Sequence, residues 1–420
     1  MNSEVPVIDN LKEIKDEIFK SYQFLQYYPP QSITLRGYLL FVFGLCHIVQ
    51  PPIAMFLNWS NWDFNSRVTA INDLIINIGV LFLQSDIMCI PHATKSLLDL
   101  ICSEFTVYRV QLENTKHDIY EKKCKLVNEM TQEGYRLLKS CGRNVRYFFS
   151  VYAIVPFCGI ILYFLELKHV EKLPVNFKFY SPLSLSLTIK SFPEYLVCSA
   201  LQLFYMYYAF ALASSISLSL LLATFHMRVE MKLFQLNAVE MSMNCENRTS
   251  QINKDESHDF KDVHYENELR LMIKQLARHH QIIYRKMKWL NDGFKARLFY
   301  YNAYTCFQIC LGLFMVLKGE ILLKIKYFLI VTSISATQFF LCENGQKVED
   351  EGEGMRSVLY ECDWRNKPKW FISSLQLIMM RSNRLPRISL FNLLALNRTE
   401  TVVVMKGSYS YLNFLNNFSN

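Results

Sequence analysis

The chain has 420 residues, of which 51% are hydrophobic and 20% charged, with a net charge of +8. That apolar share excludes an average soluble domain, and that much charge means that polar segments alternate with apolar ones along the chain. The basic residues are spread through those polar segments rather than gathered in one motif, which argues against nucleic acid as the partner.

Residues 1–36 are polar and mixed in charge, without the layout of a cleaved signal peptide. Leu11, Ile14, Ile18 and Phe19 at helical spacing predict a short amphipathic helix on the inner membrane face, ended by Tyr28-Pro29-Pro30. The first apolar run is 37–57, and Pro51-Pro52 is expected to kink or break its outer end. Asn58-Trp59-Ser60 follows, which makes Asn58 a glycosylation candidate. A second apolar run covers 68–90. Spans two and three are expected to continue as long helices through 92–143, with Leu97, Leu98, Ile101, Phe105, Tyr108 and Leu112 at three-four spacing.

Further apolar runs lie at 147–165, 195–225, 298–317 and 321–341. The fourth carries its pattern on through Met227, Met231, Leu233 and Phe234. Residues 244–266 turn polar and charged and are expected to be disordered. Periodicity returns from Leu269 to Trp289 and feeds the fifth run, and only Lys318-Gly319-Glu320 separates the fifth from the sixth. A Glu/Gly-rich piece at 343–355 and a helical stretch at 370–380 then read as a helical anchor that packs with the extensions of the spans.

Asn397 with Glu400 three residues later predicts a helix start. Residues 398–418 at about 1.5 Å each reach about 31 Å, enough to cross a hydrocarbon core. Glu400, Lys406, Asn413, Asn416 and Asn417 interrupt the apolar surface, so this helix belongs inside a bundle or along water. Positions 407, 411, 414 and 418 share one stripe, with Asn417 beside it.

The expectation is an all-α membrane protein with seven spans. Its parts are a segment 1–36, six spans with long helical extensions over 37–341, an anchor segment 342–396 and the last helix 397–420. Lys and Arg number 34 on one side of that layout and 8 on the other, which places the N terminus in the cytoplasm and the C terminus outside. None of the twelve cysteines falls in an outside loop, so no outside disulfide framework is expected.

Catalysis has little support. His279 and His280 would point about 100° apart on a helix, and Cys306 and Cys310 have no ligating neighbour and suit packing. There is no phosphate-binding glycine loop, paired CxxC or nucleophile elbow, and the acids of 343–353 have the wrong spacing for a calcium loop. No enzyme, metal or cofactor is expected. Tyr152, Phe157, Tyr163, Phe204, Tyr205, Tyr208 and Phe328, with Ser and Thr nearby, suit the walls of a site for a small, mostly apolar ligand. They equally suit helix packing and an interfacial aromatic belt.

The C-terminal third resembles the insect odorant receptor family through Leu359-Tyr-Glu-Cys-Asp-Trp364, the helix Trp370 to Ser382, Leu385-Pro386 and the ending Lys406-Gly-Ser-Tyr-Ser-Tyr411-Leu-Asn-Phe-Leu415. The first two thirds agree only in layout. The resemblance implies a plasma-membrane, multi-pass subunit in the dendrites of olfactory sensory neurons. It further implies a heterotetrameric, non-selective cation channel made with a common coreceptor and opened directly by small volatile ligands. The family's last helix lines the pore; matched on Tyr411, its gate falls on Phe414, Asn417 and Phe418. Phe at both apolar gate positions departs from the aliphatic residues of the coreceptor. Lys406 is expected to point toward a neighbouring helix or the inner vestibule, where it would not repel cations. A gustatory receptor of the same superfamily is the nearest alternative. A G-protein-coupled receptor fits less well, because Asp-Arg-Tyr and Asn-Pro-x-x-Tyr signatures are missing at the third and seventh spans.

Overall fold

The computed structural model describes residues 16, 20, 35–58, 60, 62, 64–89, 91–106, 117–164, 191–252, 259–319, 321–362, 364, 367–390 and 394–419. The amphipathic stretch near the N terminus lies outside them, apart from Asp16 and Lys20, and so do the side chains of Asn58, Tyr152 and Phe418. The described elements are helices α1 (Leu35–Asn58), α2 (Phe64–Cys89), α3 (Pro91–Cys102), α4 (His117–Phe164), α5 (Phe192–Ile252), α6 (Asp259–Lys318), α7 (Ile321–Glu361), α8 (Lys369–Ser382) and α9 (Arg398–Ser419). A two-residue hairpin, β1 (Ser389–Leu390) with β2 (Leu394–Ala395), precedes the last helix and pairs Ser389 with Ala395.

Among the described residues, three segments are long and apolar enough on their own to cross a membrane: Arg67–Met88, Phe192–Met243 and Arg297–Lys318. Their parent helices are far longer than a bilayer is thick. With 61 and 60 residues, α5 and α6 reach about 90 Å each, some three times a hydrocarbon core. The surplus forms a polar end in which α5, α6, α7 and α8 pack around one large core that includes Met227, Phe234, Leu276, Leu290, Leu359 and Phe371. Burial of such side chains contributes roughly 1.5–3 kcal/mol apiece.

Several boundaries differ from the sequence expectation, each for a local reason. The extension of α2 is a separate helix, because Pro91 lacks the N–H that would continue α2 and instead begins α3, a position that suits proline. α1 runs unbroken through Pro51 and Pro52 to Asn58. Most of 244–266 is helical, since α5 reaches Ile252 and α6 starts at Asp259. The Glu/Gly-rich piece is helical as expected, continuous with the sixth apolar run in α7. Its glycines are places of close approach: a Cβ at Gly345 would fall 2.0 Å from the Leu396 carbonyl oxygen, one at Gly352 2.7 Å from the Pro386 ring, and one at Gly354 2.6 Å from the Gln235 amide. Helix propensity lost at these glycines is offset by backbone contact that no larger residue permits.

Several buried charged groups in this framework are bonded to partners on other helices. Arg297 of α6 donates through Nε to Asp86 of α2 at 2.6 Å and through Nη2 to Thr94 of α3 at 2.6 Å, which fixes three elements at one point. Lys123 of α4 meets Glu240 of α5 at 2.5 Å, and Glu230 of α5 takes Lys286 and His279 of α6 at 3.3 and 3.2 Å. Removing one partner of such a buried pair costs about 3–5 kcal/mol.

Candidate functional site

α9 starts as its sequence dictates. Asn397 caps it, accepting the Glu400 N–H at 3.1 Å, and the helix runs from Arg398 to Ser419. The Glu400 side chain does not return to the cap. Asn302 Nδ2 of α6 donates to Glu400 Oε1 at 2.9 Å, and Gln338 Nε2 of α7 donates to Asn302 Oδ1 at 3.0 Å. All three residues are buried, so one amide of α6 joins the first turn of α9 to α7. A second tie lies just outside it: Arg398 donates Nε and Nη2 to the two Glu343 carboxylate oxygens at 2.7 and 2.8 Å, a bidentate pair. That guanidinium holds the Glu343 carboxyl below its ordinary range. With Gly345 against Leu396 and the Leu396 N–H bonded to the Ile388 carbonyl at 2.9 Å, the N-terminal end of α9 is held against α6 and α7.

Further along, one stripe of α9 is seated and the opposite one is open. Val404, Ser408 and Leu412 are buried; Ser408 donates to the Val404 carbonyl at 2.9 Å and reaches the Cys306 carbonyl at 3.3 Å. A Cβ at Gly407 would lie only 3.5 Å from Cys306 Sγ, so the small residue lets α9 approach α6 closely. Leu412 joins a compact cluster with Val68, Cys310, Phe314, Met315 and Tyr327. Cys306 and Cys310 are packing residues, as their surroundings in the sequence suggest. Val403, Lys406, Ser410, Asn413, Phe414 and Asn417 are exposed on the far side, and Tyr411, 53% exposed, leans on Phe307 with ring centroids 6.2 Å apart. Of the residues matched to a gate, Phe414 and Asn417 therefore share the open face and Tyr411 stands at its shoulder.

The aromatic residues singled out as ligand walls do not form one cluster. Tyr205 and Tyr208 of α5 are buried within the large core, and Phe43 of α1 meets Tyr205 edge-on at 6.2 Å. Tyr163 of α4 stacks on Phe192 of α5 at 3.8 Å, close to Tyr195, whose hydroxyl donates to the Pro156 carbonyl at 3.4 Å. Phe157, Phe204 and Phe328 are 63%, 50% and 59% exposed, on outward-facing surfaces. Three- and four-residue spacing marks a stripe but not which neighbour covers it.

His279 and His280 face different elements. His279 lies between Glu230 and Asn237, whereas His280 bonds Ser382 at 2.9 Å. Burial depresses both, His280 to about 4 with help from the nearby Arg381 charge, and the two rings join α6 to α5 and α8. Asn302, Gln338 and the Glu343–Arg398 pair escaped the sequence reading. Their signal was present: an amide inside an apolar run needs a partner in the membrane, and Asn302 and Gln338 both sit in such runs.

The 7tm odorant receptor family matches residues 101–409, most of the chain. Two solved structures of the insect olfactory receptor OR5 from Machilis hrabei share the fold. The one in complex with eugenol superposes with a TM-score of 0.71 at 10% identity, covering 99% of this chain and 100% of that one. The other gives 0.68 at 11% identity and covers 99% of each. No curated protein sequence matches the chain. With its fold and most of its length thus accounted for, the chain belongs to the 7tm odorant receptor family, which is not a family of enzymes.

Proposed function

We propose that this chain is the odorant-recognising subunit of a ligand-gated, non-selective cation channel, completed by a coreceptor in a heterotetramer. In this reading seven helices cross the membrane, the N terminus and the polar end lie in the cytoplasm, and α9 lines the pore. The observation that carries it is the two-sidedness of α9. One face is locked to α6 and α7 by Glu400, Ser408 and Leu412, while the other leaves Ser410, Asn413 and Asn417 exposed, with none of the described residues shielding them from lipid. A polar face on a helix that crosses a membrane needs water or another subunit. A pore shared among subunits supplies both.

Phe414 and Phe418 form the apolar constriction and Asn417 the nearest polar contact for a hydrated ion, with Tyr411 setting the spacing to α6. A ring with bulky apolar side chains closes by dewetting, and a small outward swing opens it. Because the inner end of α9 is tied to α7 at two points, that swing belongs to the outer half. The volatile ligand need only favour the open arrangement; about 5.5 kcal/mol of preference moves the population from 1:99 to 99:1.

The ligand is a small volatile organic molecule, held among spans two, three, four and six with Tyr152, Phe157, Tyr163, Phe204, Tyr205, Tyr208 and Phe328 in or beside its walls. A related receptor of the same fold is solved with eugenol, which supports a site for small organic molecules here. Tyr205 and Tyr208, the two that point inward together, are the first to test. Changing each to Phe or Ala, in cells that also express the coreceptor, should alter the ranking of a panel of esters, aldehydes and phenols at normal surface levels. Unchanged ranking in all four variants would return both tyrosines to a packing role.

A further inference from the structure

The exposed face of α9 is ordered. Val403, Lys406, Ser410, Asn413 and Asn417 recur at three- and four-residue spacing and all are exposed, so a single row along the open face carries one lysine and three small polar groups. The buried stripe of Val404, Ser408 and Leu412 lies on the other side. Resting on the reading of α9 as pore-lining, and against the sequence expectation that Lys406 turns away from the ions, we propose that the exposed Lys406 projects into the permeation path and sets how well this subunit admits divalent cations.

Three observations support this. Lys406 stands eight residues after Arg398, about 12 Å along the helix, and a lysine at that depth facing hydrocarbon is among the costliest placements in a membrane. The acids near the start of α9 are committed elsewhere: Glu400 is bonded to Asn302 and lies about 120° round the helix from Lys406, and Glu343 is held by Arg398. Beyond the apolar Val403, the rest of the row is made of hydroxyl and amide groups that can replace water around an ion but bring no negative charge to offset the ammonium.

The consequence depends on ion charge. Repulsion from one fixed positive charge doubles from Na⁺ to Ca²⁺, and it acts within a Debye length of about 8 Å, so it is felt across a narrow lumen. Four such lysines in one ring would bar cations, so a conducting pore of this kind needs partner subunits that carry no lysine at this position.

The test compares wild type with Lys406→Arg, Lys406→Gln and Lys406→Glu, each coexpressed with the coreceptor, using whichever volatile of the panel evokes the largest wild-type current. Reversal potentials under a calcium gradient give the Ca²⁺ to Na⁺ permeability ratio. The expected order is Lys equal to Arg, then Gln, then Glu, with a rise of about twofold or more from Lys to Glu. Lys406→Cys should behave as Gln and return to the wild-type ratio when a positively charged methanethiosulfonate reagent restores the charge. An unchanged ratio across all variants at normal surface levels overturns the assignment. So does equal loss of assembly in the Gln and Glu variants, which would make Lys406 the ion-pair partner of a neighbouring subunit. Absence of any evoked current from the wild-type pair, a different result, overturns the channel reading beneath it.

Discussion

Asn302 is the node on which the N-terminal end of the last helix hangs, and Asn302→Leu is the substitution that tests it. Leucine has nearly the same volume, so no cavity opens; what is lost is the amide that donates to Glu400 at 2.9 Å and accepts from Gln338 at 3.0 Å. A buried polar group left unpaired costs about 1–3 kcal/mol, more when it is charged, and two are stranded here, so the loss should be about 2–6 kcal/mol. Replacing Glu400 by Leu in the same chain removes one of the stranded groups. The double variant should therefore be more stable than the sum of the two single losses by about 1–3 kcal/mol. Apparent melting of the purified receptor in nanodiscs, run at one scan rate for all four proteins, measures both quantities. Strict additivity, or an Asn302→Leu loss within about 0.5 kcal/mol of zero, would refute the claim that these side chains pin α9.

Two further outcomes follow from the same framework. His280 titrates at about 4 in the fold against an ordinary value of 6.5. The unfolded chain thus takes up a proton that the folded chain refuses: stability is full above about pH 6.5 and falls as pH drops toward 4, by about 2 kcal/mol between pH 7.5 and 5. His280→Asn, which can still bond Ser382, should flatten that slope; an equally steep slope in the variant would assign it to other groups. At the outer half of α9, Phe414→Ala should raise ligand-independent current and Asn417→Ala should change relative ion permeability, both read by whole-cell recording. Wild-type behaviour in both would move the gate off this subunit.

Much of this architecture was legible in the sequence where local chemistry decides. The turn at Lys318-Gly319, the Asn397 cap and the helix Lys369–Ser382 stand where the spacing predicts. The misses came from contacts between distant parts of the chain. The Glu/Gly-rich piece is helical as its pattern suggests, but that Gly345, Gly352 and Gly354 lie against Leu396, Pro386 and Gln235 could not be seen from spacing. Phe204 and Tyr205 are adjacent in sequence, yet one is half exposed and the other fully buried, because neighbouring residues on a helix face about 100° apart and only the surrounding helices say which side is covered. On α9 the stripe through Tyr411 and Phe414 was visible from spacing. The polar row beside it became a distinct face only once α6 and α7 were seen to cover the opposite side.

The most direct test of the central claim is a recording from excised inside-out membrane patches that contain this chain and the coreceptor, bathed in solution free of nucleotides. The account predicts that a volatile of the panel opens cation-conducting channels there promptly and reversibly, and that patches with either chain alone, or with the Asn302→Leu chain, respond weakly or not at all. Currents that vanish when nucleotides are withdrawn, or when G proteins are blocked, would contradict it.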